Sequence, residues 1–465
     1  MIKKALLRRI LPVILMLLML CQPVIAATTQ ESTAVTQGCL SPDAGKSIMG
    51  DTQIISNCQS VILYELNNDT MMHAWNPDAS VYPASFVKVM TALLVVEKGT
   101  MTDAVTIRQS VLDTVDYDAI TAGLVADEVL TVEDLLYCMM VASANDAAAV
   151  LATHIMGSQE KFVAEMNRYA KDLGCTGTNF VNVHGLHHSE QVTTARDMLR
   201  ILKHATDNEL FNKFFNAAKY TVPATNKKES RNLSTNNFLM NSNDLEIYYD
   251  SRVIGGRTGE TAYGDRCVAT VAKQGGMKLL CIITGAKSTY GSDGYSVRTY
   301  GGFAETSQLL DLGFNGYSAV QLFHADQALE QVSVSGGESD VVLGVSSNIY
   351  TVLPKDADLN SIQFSYSEGY NQLSAPIKKG TIIGTVSIWH SGICIGETEL
   401  YAMNSVSTEF AKEDEDGRKW KPITVIFLTI VILVLAACSV LLIIRWSHTI
   451  RVLRMQRRHR RRRSR

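Results

Sequence analysis

The stretch Tyr82-Pro83-Ala84-Ser85-Phe86-Val87-Lys88 decides how the chain reads, and it opens the apolar run Val89 to Val96. Proline is tolerated ahead of a helix or in its first turn, where a missing N–H costs little. Ser85 is therefore expected in the first turn of a buried helix, with Lys88 three residues on and on the same face. That turn offers unpaired backbone N–H groups and the positive end of the helix dipole. A lysine packed there away from water loses basicity and can act as a neutral base. The pair is an activated serine nucleophile that needs no histidine. By itself the pattern is common, and the chain holds a second copy, Ser158-Gln159-Glu160-Lys161, which reads as a serine N-cap on a charged helix.

Two later segments give the first one its meaning. Ser143-Ala144-Asn145 places two polar side chains in an apolar setting between helical patterns. It would also suit a cap between two helices, and the same pattern recurs at Ser234-Thr235-Asn236 and Ser346-Ser347-Asn348. Arg257-Thr258-Gly259 follows Ile254-Gly255-Gly256. A cation and a hydroxyl beside a glycine suit a strand edge that grips a carboxylate while a substrate backbone lies close. Alone it would read as a basic turn.

Order and spacing join the three. S-x-x-K, then S-x-N, then a basic-Thr-Gly triplet is the motif set of penicillin-recognising serine enzymes. In it the chain resembles the D-alanyl-D-alanine carboxypeptidases, the low-molecular-mass penicillin-binding proteins. The stretches Thr178 to Leu186 and Thr193 to Met198 are similar to that family's segment after the second motif. Ile377 to Gly384, Ile395-Gly396 and Leu400 to Ala402 are similar to its C-terminal β domain, so the resemblance covers residues 45–405.

The resemblance implies roles for individual residues. Ser85 would attack the D-Ala-D-Ala carbonyl as the acyl-ester nucleophile, Lys88 would accept its proton, and Ser143 would relay a proton to the leaving D-alanine. Asn145 would bind substrate and help hold Lys88. Arg257, Thr258 and Gly259 would bind substrate, the first two through its terminal carboxylate. The backbone N–H groups of Ser85 and Glu260 would form the oxyanion hole. No cofactor and no metal is implied, and the spacing of His184, His187 and His188 fits no common zinc pattern. β-Lactams would acylate Ser85 as inhibitors. One departure stands out: the third motif usually begins with Lys, and a planar guanidinium fork is not a point charge.

The flanks point to a membrane. Residues 1–26 read as a cleaved secretory signal, with Lys3, Lys4, Arg8 and Arg9, the apolar run Ile10 to Leu20 and the small-residue site Val24-Ile25-Ala26. An uncleaved N-terminal anchor is the alternative. Pro422 to Ile444 carries no charge over 23 residues, enough to span a bilayer once. Ten arginines follow it, and the positive-inside rule puts that tail in the cytoplasm and residues 27–421 outside. Behind a span, the tail reads as topology and lipid contact in preference to nucleic-acid binding. The net charge of −3 conceals an outer part with 29 basic against 46 acidic residues, the 4 basic residues of the signal and 10 of the tail set aside, which does not suggest a nucleic-acid binder. Of nine cysteines, Cys138, Cys267 and Cys281 lie in apolar runs, while Cys39 and Cys58 could pair.

The expected fold is α+β: a penicillin-recognising serine-enzyme domain, with an antiparallel sheet and helices packed on it, then a small all-β domain and one C-terminal transmembrane helix. Val61 to Leu66 reads as a strand, and Cys267 to Ala272 and Met277 to Ile283 as a hairpin around Gly275-Gly276. Helices are expected to start at Thr131 and to run from Lys161 to Leu173, Thr194 to His204 and Arg298 to Leu312. The boundaries are an irregular segment 27–44, a catalytic domain 45–317, a β domain 318–405, an acidic stalk 406–421, the span 422–444 and the basic tail 445–465.

The leading functional reading is a membrane-anchored serine carboxypeptidase acting on peptidoglycan stem peptides. Two others share the motifs. A serine β-lactamase would need a further carboxylate loop, and no convincing Glu-x-x-Leu-Asn segment is found. A non-catalytic cell-wall-binding protein on the same fold would show Arg257 as drift. The oligomeric state is not legible in the sequence.

Overall fold

A computed structural model describes residues 46–242, 245–260, 265–293, 297–408, 429–435, 438–443 and 445–446. The secretory signal, Cys39, most of the acidic stalk and most of the basic tail lie outside the described residues. Residues 429–435 and 438–443 of the expected span are helical. No helix of the described residues is long and apolar enough to cross a membrane.

Two strands at the start of the described chain, β1 (Ser60–Glu65) and β2 (Thr70–Trp75), join three from much later, β3 (Val253–Glu260), β4 (Asp265–Gln274) and β5 (Met277–Lys287). They form one sheet in the order β2-β1-β5-β4-β3, antiparallel throughout. The β4–β5 turn is Gly275-Gly276, with φ of 58° and 84°, the double positive φ that a tight hairpin needs. Strand β2 was not anticipated; its Thr-Met-Met-His-Ala-Trp sequence lacks β-branched alternation, and pairing with β1 makes it a strand.

All six residues of β1 are buried, because both faces of the sheet are covered. Ile62 and Tyr64 pack into the helical layer, and Val61 and Leu63 into the opposite one. The helical layer holds α1 (Val87–Lys98), α2 (Val132–Val141), α3 (Asn145–Met156), α4 (Gln159–Asp172), α5 (Ala195–Thr206) and α6 (Glu209–Phe215). On the other face Leu309, Leu310 and Phe314 of α7 (Phe303–Gly316) meet Leu279 and Ile283.

Local signals set several helix starts. Thr131 and Asp134 form a reciprocal capping box on α2, and Thr194 caps α5. Ser158 accepts from the Lys161 N–H and caps α4, so the second S-x-x-K is a helix start. One boundary needs correction. The last helix begins at Phe303, not Arg298, because Val297–Thr299 form a short strand with Thr289-Tyr290. Gly302 then turns at φ 93°, and its N–H is taken by Glu305.

From Tyr317 to Ala402 every element is a strand apart from the 3-10 turn Leu359–Ser361, an all-β C-terminal region. The chain divides into two compact units. The first runs to Ala325 and includes Ser347–Ser367 and Thr385–Glu399; in it Tyr317–Phe323 pairs antiparallel with Ile349–Pro354. The second holds Asp326–Ser346, Glu368–Gly384 and the residues from Leu400; in it Ala328–Val332 pairs with Val341–Gly344. Cys58 is a free thiol and Cys394 is disulfide-bonded, so the pairing open to Cys58 is not made.

Candidate active site

Pro83 ends the approach to α1 with φ −70°, and Ala84–Phe86 form a 3-10 turn leading into the helix. That turn carries Ser85, half-buried at the helix entrance, while Lys88 one turn on is fully buried. The amine of Lys88 lies 3.2 Å from the Ser85 hydroxyl and also donates to the His184 carbonyl oxygen. Burial drives the Lys88 pKa well below the usual lysine range, and the Arg257 guanidinium pushes in the same direction against a weaker opposing pull from Asp146. A neutral amine within reach of a serine hydroxyl is a general base with its acceptor free for one proton.

Ser143 comes from the turn between α2 and α3, with a φ of 62° that a non-glycine residue rarely adopts. The turn is fastened beneath. Asn145 N–H donates to the Ile120 carbonyl at 2.8 Å. The buried Asp146 carboxylate accepts from the N–H groups of Ala122 and Leu124, each at 3.0 Å, and of Ala147 at 2.8 Å. The strained conformation thus stays in place and holds the Ser143 hydroxyl 3.1 Å from that of Ser85.

The edge strand β3 closes the site from the other side. Gly259 lies so close to the nucleophile turn that a Cβ there would stand 2.8 Å from the Ser85 nitrogen. The missing Cβ of Gly259 lets the nucleophile turn itself pack against β3. Gly185, at φ 92°, presses on the same turn, and a Cβ there would stand 2.0 Å from the Ala84 carbonyl oxygen. Glu260 ends β3, and its carboxylate pairs with Arg266 at 2.7 Å.

Two placements differ from those the sequence suggested. Arg257 does not offer its guanidinium to the cleft. It is 2 % exposed and reaches inward, donating to Ser143 Oγ and to the Met140 carbonyl oxygen, both at 2.7 Å. Burial lowers its pKa to about 10, which leaves it charged. The planar fork bridges two acceptors at once, the Met140 carbonyl in the last turn of α2 and the Ser143 hydroxyl in the turn after it. Asn145 is buried at the site, but the Lys88 hydrogen bonds go to Ser85 and His184. Thr258 lies on β3 at 4 % exposure, and its hydroxyl donates to Asn236 Oδ1 at 3.0 Å.

The three histidines serve loop geometry. The Nδ1 of His184 accepts from the Leu186 N–H at 3.3 Å, and burial beside Lys88 lowers its pKa to about 4. His187 stacks edge-on against Tyr82, and the Nδ1 of His188 accepts from the Glu190 N–H at 3.2 Å. The loop is braced by Thr91, which donates to the Val183 carbonyl at 2.7 Å, and by Asn182, which accepts from Gly185 N–H at 2.7 Å. A cleft of about 380 Å³ opens beside the nucleophile turn, between Ala84, Gly185, His187 and Glu260.

Four contributors escaped sequence reasoning: the carbonyls of His184 and Met140, the carboxylate of Asp146, and Asn236. Carbonyls carry no residue signature. Asp146 adjoins the second motif, and Asn236 sits in a segment that read only as a repeat of that motif.

Comparison with known proteins agrees with this geometry. The family model described as D-alanyl-D-alanine carboxypeptidase matches residues 49–288. The model of the penicillin-binding protein 5 C-terminal domain matches residues 317–408. The chain is 30 % identical over 359 residues to D-alanyl-D-alanine carboxypeptidase DacC of Escherichia coli (strain K12), covering 74 % of this chain and 83 % of that one. It is 29 % identical over 360 residues to D-alanyl-D-alanine carboxypeptidase DacF of Bacillus subtilis (strain 168), covering 76 % and 86 %. Among solved structures it is similar to penicillin binding protein 5 from Haemophilus influenzae, with a TM-score of 0.63 and 28 % identity over 77 % of this chain and all of that one.

Proposed function

The chain belongs to the D-alanyl-D-alanine carboxypeptidase family, and on that premise we propose that it is a serine-type enzyme removing the terminal D-alanine from peptidoglycan stem peptides. The observation that carries this reading is the buried Lys88 amine, held 3.2 Å from the half-buried Ser85 hydroxyl with a pKa far below the ordinary lysine value.

In the proposed reaction the Ser85 proton passes to Lys88 as Oγ bonds to the carbonyl carbon of the D-Ala-D-Ala peptide bond. The oxyanion is received by the N–H groups of Ser85 and Glu260 at the mouth of the cleft. The C–N bond then breaks, and the proton held by Lys88 returns through Ser143 to the departing amine. Ser143 suits that relay because it lies 3.1 Å from Ser85 Oγ and is held by Arg257 at 2.7 Å. Water next attacks the ester, giving the shortened peptide acid and restoring Ser85. A β-lactam would acylate Ser85 by the same first step. Arg257 is reassigned from carboxylate binding to positioning Ser143 and helping keep Lys88 neutral.

Residues 1–26 would direct export, and 422–444 would anchor the enzyme as a single span with its catalytic part outside and its arginine tail in the cytoplasm. The support is the uncharged 23-residue run and the ten arginines behind it. Protease added to intact cells should digest the catalytic part and spare an epitope at the C-terminus; the reverse pattern would overturn this topology.

The functional test compares the full chain in mild detergent with Ser85→Ala. Release of D-alanine from diacetyl-Lys-D-Ala-D-Ala is followed alongside labelling by a fluorescent penicillin. Ser85-dependent release is the expected result. Labelling without release would favour the non-catalytic binding protein, and absence of both would refute the enzyme.

A further inference from the structure

With Arg257 turned inward, the substrate's terminal carboxylate needs another seat. The next polar side chain along β3 is Thr258, whose hydroxyl donates to Asn236 Oδ1 at 3.0 Å. Asn236 is exposed, and among the described residues its Nδ2 group makes no hydrogen bond. Its backbone is well held. The Thr235 N–H donates to the Ala218 carbonyl at 2.9 Å, the Asn237 N–H to Thr235 Oγ1 at 3.2 Å, and the Leu239 N–H to Asn237 Oδ1 at 3.2 Å. Asn237 itself is buried, with its Nδ2 2.5 Å from where a Cβ on Gly256 would stand. The turn thus sends the Asn237 side chain inward and leaves the Asn236 amide at the Thr258 hydroxyl.

The direction of that one hydrogen bond matters. A hydroxyl that gives its proton to an amide oxygen offers only lone pairs to a third group, and lone pairs repel a carboxylate. An amide can turn about its last torsion at little cost, since that torsion is broad and roughly two-fold. Turned, Asn236 would donate through Nδ2 to the Thr258 oxygen. The Thr258 proton would then be free to point at a carboxylate, and the second Nδ2 proton would be available beside it.

We propose that Asn236 is a specificity-determining residue: paired with Thr258, its amide forms a two-donor seat for the substrate's terminal carboxylate, set by reversing the Asn236–Thr258 hydrogen bond. This rests on reading the site as a carboxypeptidase.

The test uses the full chain with Asn236→Ala, Asn236→Asp and Asn236→Gln. Two peptides are compared, diacetyl-Lys-D-Ala-D-Ala and the same peptide ending in a carboxamide. Acylation by penicillin and by its methyl ester gives a second pair with and without the carboxylate. Asn236→Ala should lower the carboxylate-to-neutral ratio of kcat/KM about tenfold, chiefly through KM, as expected for a lost hydrogen bond to a charged group. Asn236→Asp should lower it further by like-charge repulsion, and Asn236→Gln should restore part of it. Equal losses on charged and neutral partners, or no loss, would overturn the inference while Ser85-dependent release left the carboxypeptidase reading standing. Absence of release and of labelling in the unaltered chain would overturn both.

Discussion

Gly259→Ala is the sharpest test of how the site is assembled. A Cβ built there stands 2.8 Å from Ser85 N, 3.1 Å from Ala84 Cβ and 3.3 Å from the Pro83 carbonyl oxygen. Ordinary contact begins at 3.4 Å, so β3 and the nucleophile turn must part by about 0.6 Å. No flexible side chain can yield, because two of the three obstacles are backbone and the third is a Cβ on a residue held at φ 47°. Displacement on the order of 1 Å at reacting atoms costs about 10²-fold, or roughly 2.7 kcal/mol of activation free energy. The second-order rate of acylation by a labelled penicillin should therefore fall by about 10²-fold. Overpacking should cost about 1–3 kcal/mol of stability, so thermal melting shows whether the fold survives. A folded variant that acylates within about threefold of the parent would refute the reasoning, since β3 would then not be pressed against Ser85.

Four further outcomes are expected. Lys88 is charged in the unfolded chain below about pH 10.4 and, through burial and Arg257, neutral in the native state down to a much lower pH, so between those values the unfolded state binds the extra proton and stability rises with pH. Lys88→Met should accordingly abolish acylation yet raise Tm at pH 7, with the gain shrinking toward pH 10; a lower Tm at pH 7 would contradict a neutral Lys88. In the unaltered chain the acylation rate should fall on the acid side as Lys88 becomes protonated. Arg257→Lys should lose one of the two 2.7 Å hydrogen bonds and slow acylation about tenfold; an unchanged rate would show that the fork is not what positions Ser143. Asp146→Ala leaves three backbone N–H groups without their acceptor and should cost about 3 kcal/mol in urea unfolding; a loss below about 1 kcal/mol would mean that the turn holds itself.

Features that depend on near neighbours in the chain were legible from the residues. Three-residue spacing placed Lys88 beneath Ser85. Thr131 and Asp134 wrote their own capping box, Ser158 declared itself an N-cap, and Gly275-Gly276 declared a hairpin, because each involves hydrogen bonds or dihedrals within a few residues. The order of three weak motifs then identified Ser85, Lys88 and Ser143 as residues that meet, although 58 positions separate the two serines. Tertiary structure alone decided where the long-range groups point. Arg257 turns inward to a serine 114 positions away, and Lys88 finds a backbone carbonyl 96 positions away. Such bonds are fixed by which buried donor finds which buried acceptor once the sheet edge and helix turns close together, and an unmet partner there costs more than the bond yields. For the same reason the packing of Gly259 on the nucleophile turn had no signature in the chain, and Asn236 read only as a repeat of the second motif until folding set its amide against Thr258.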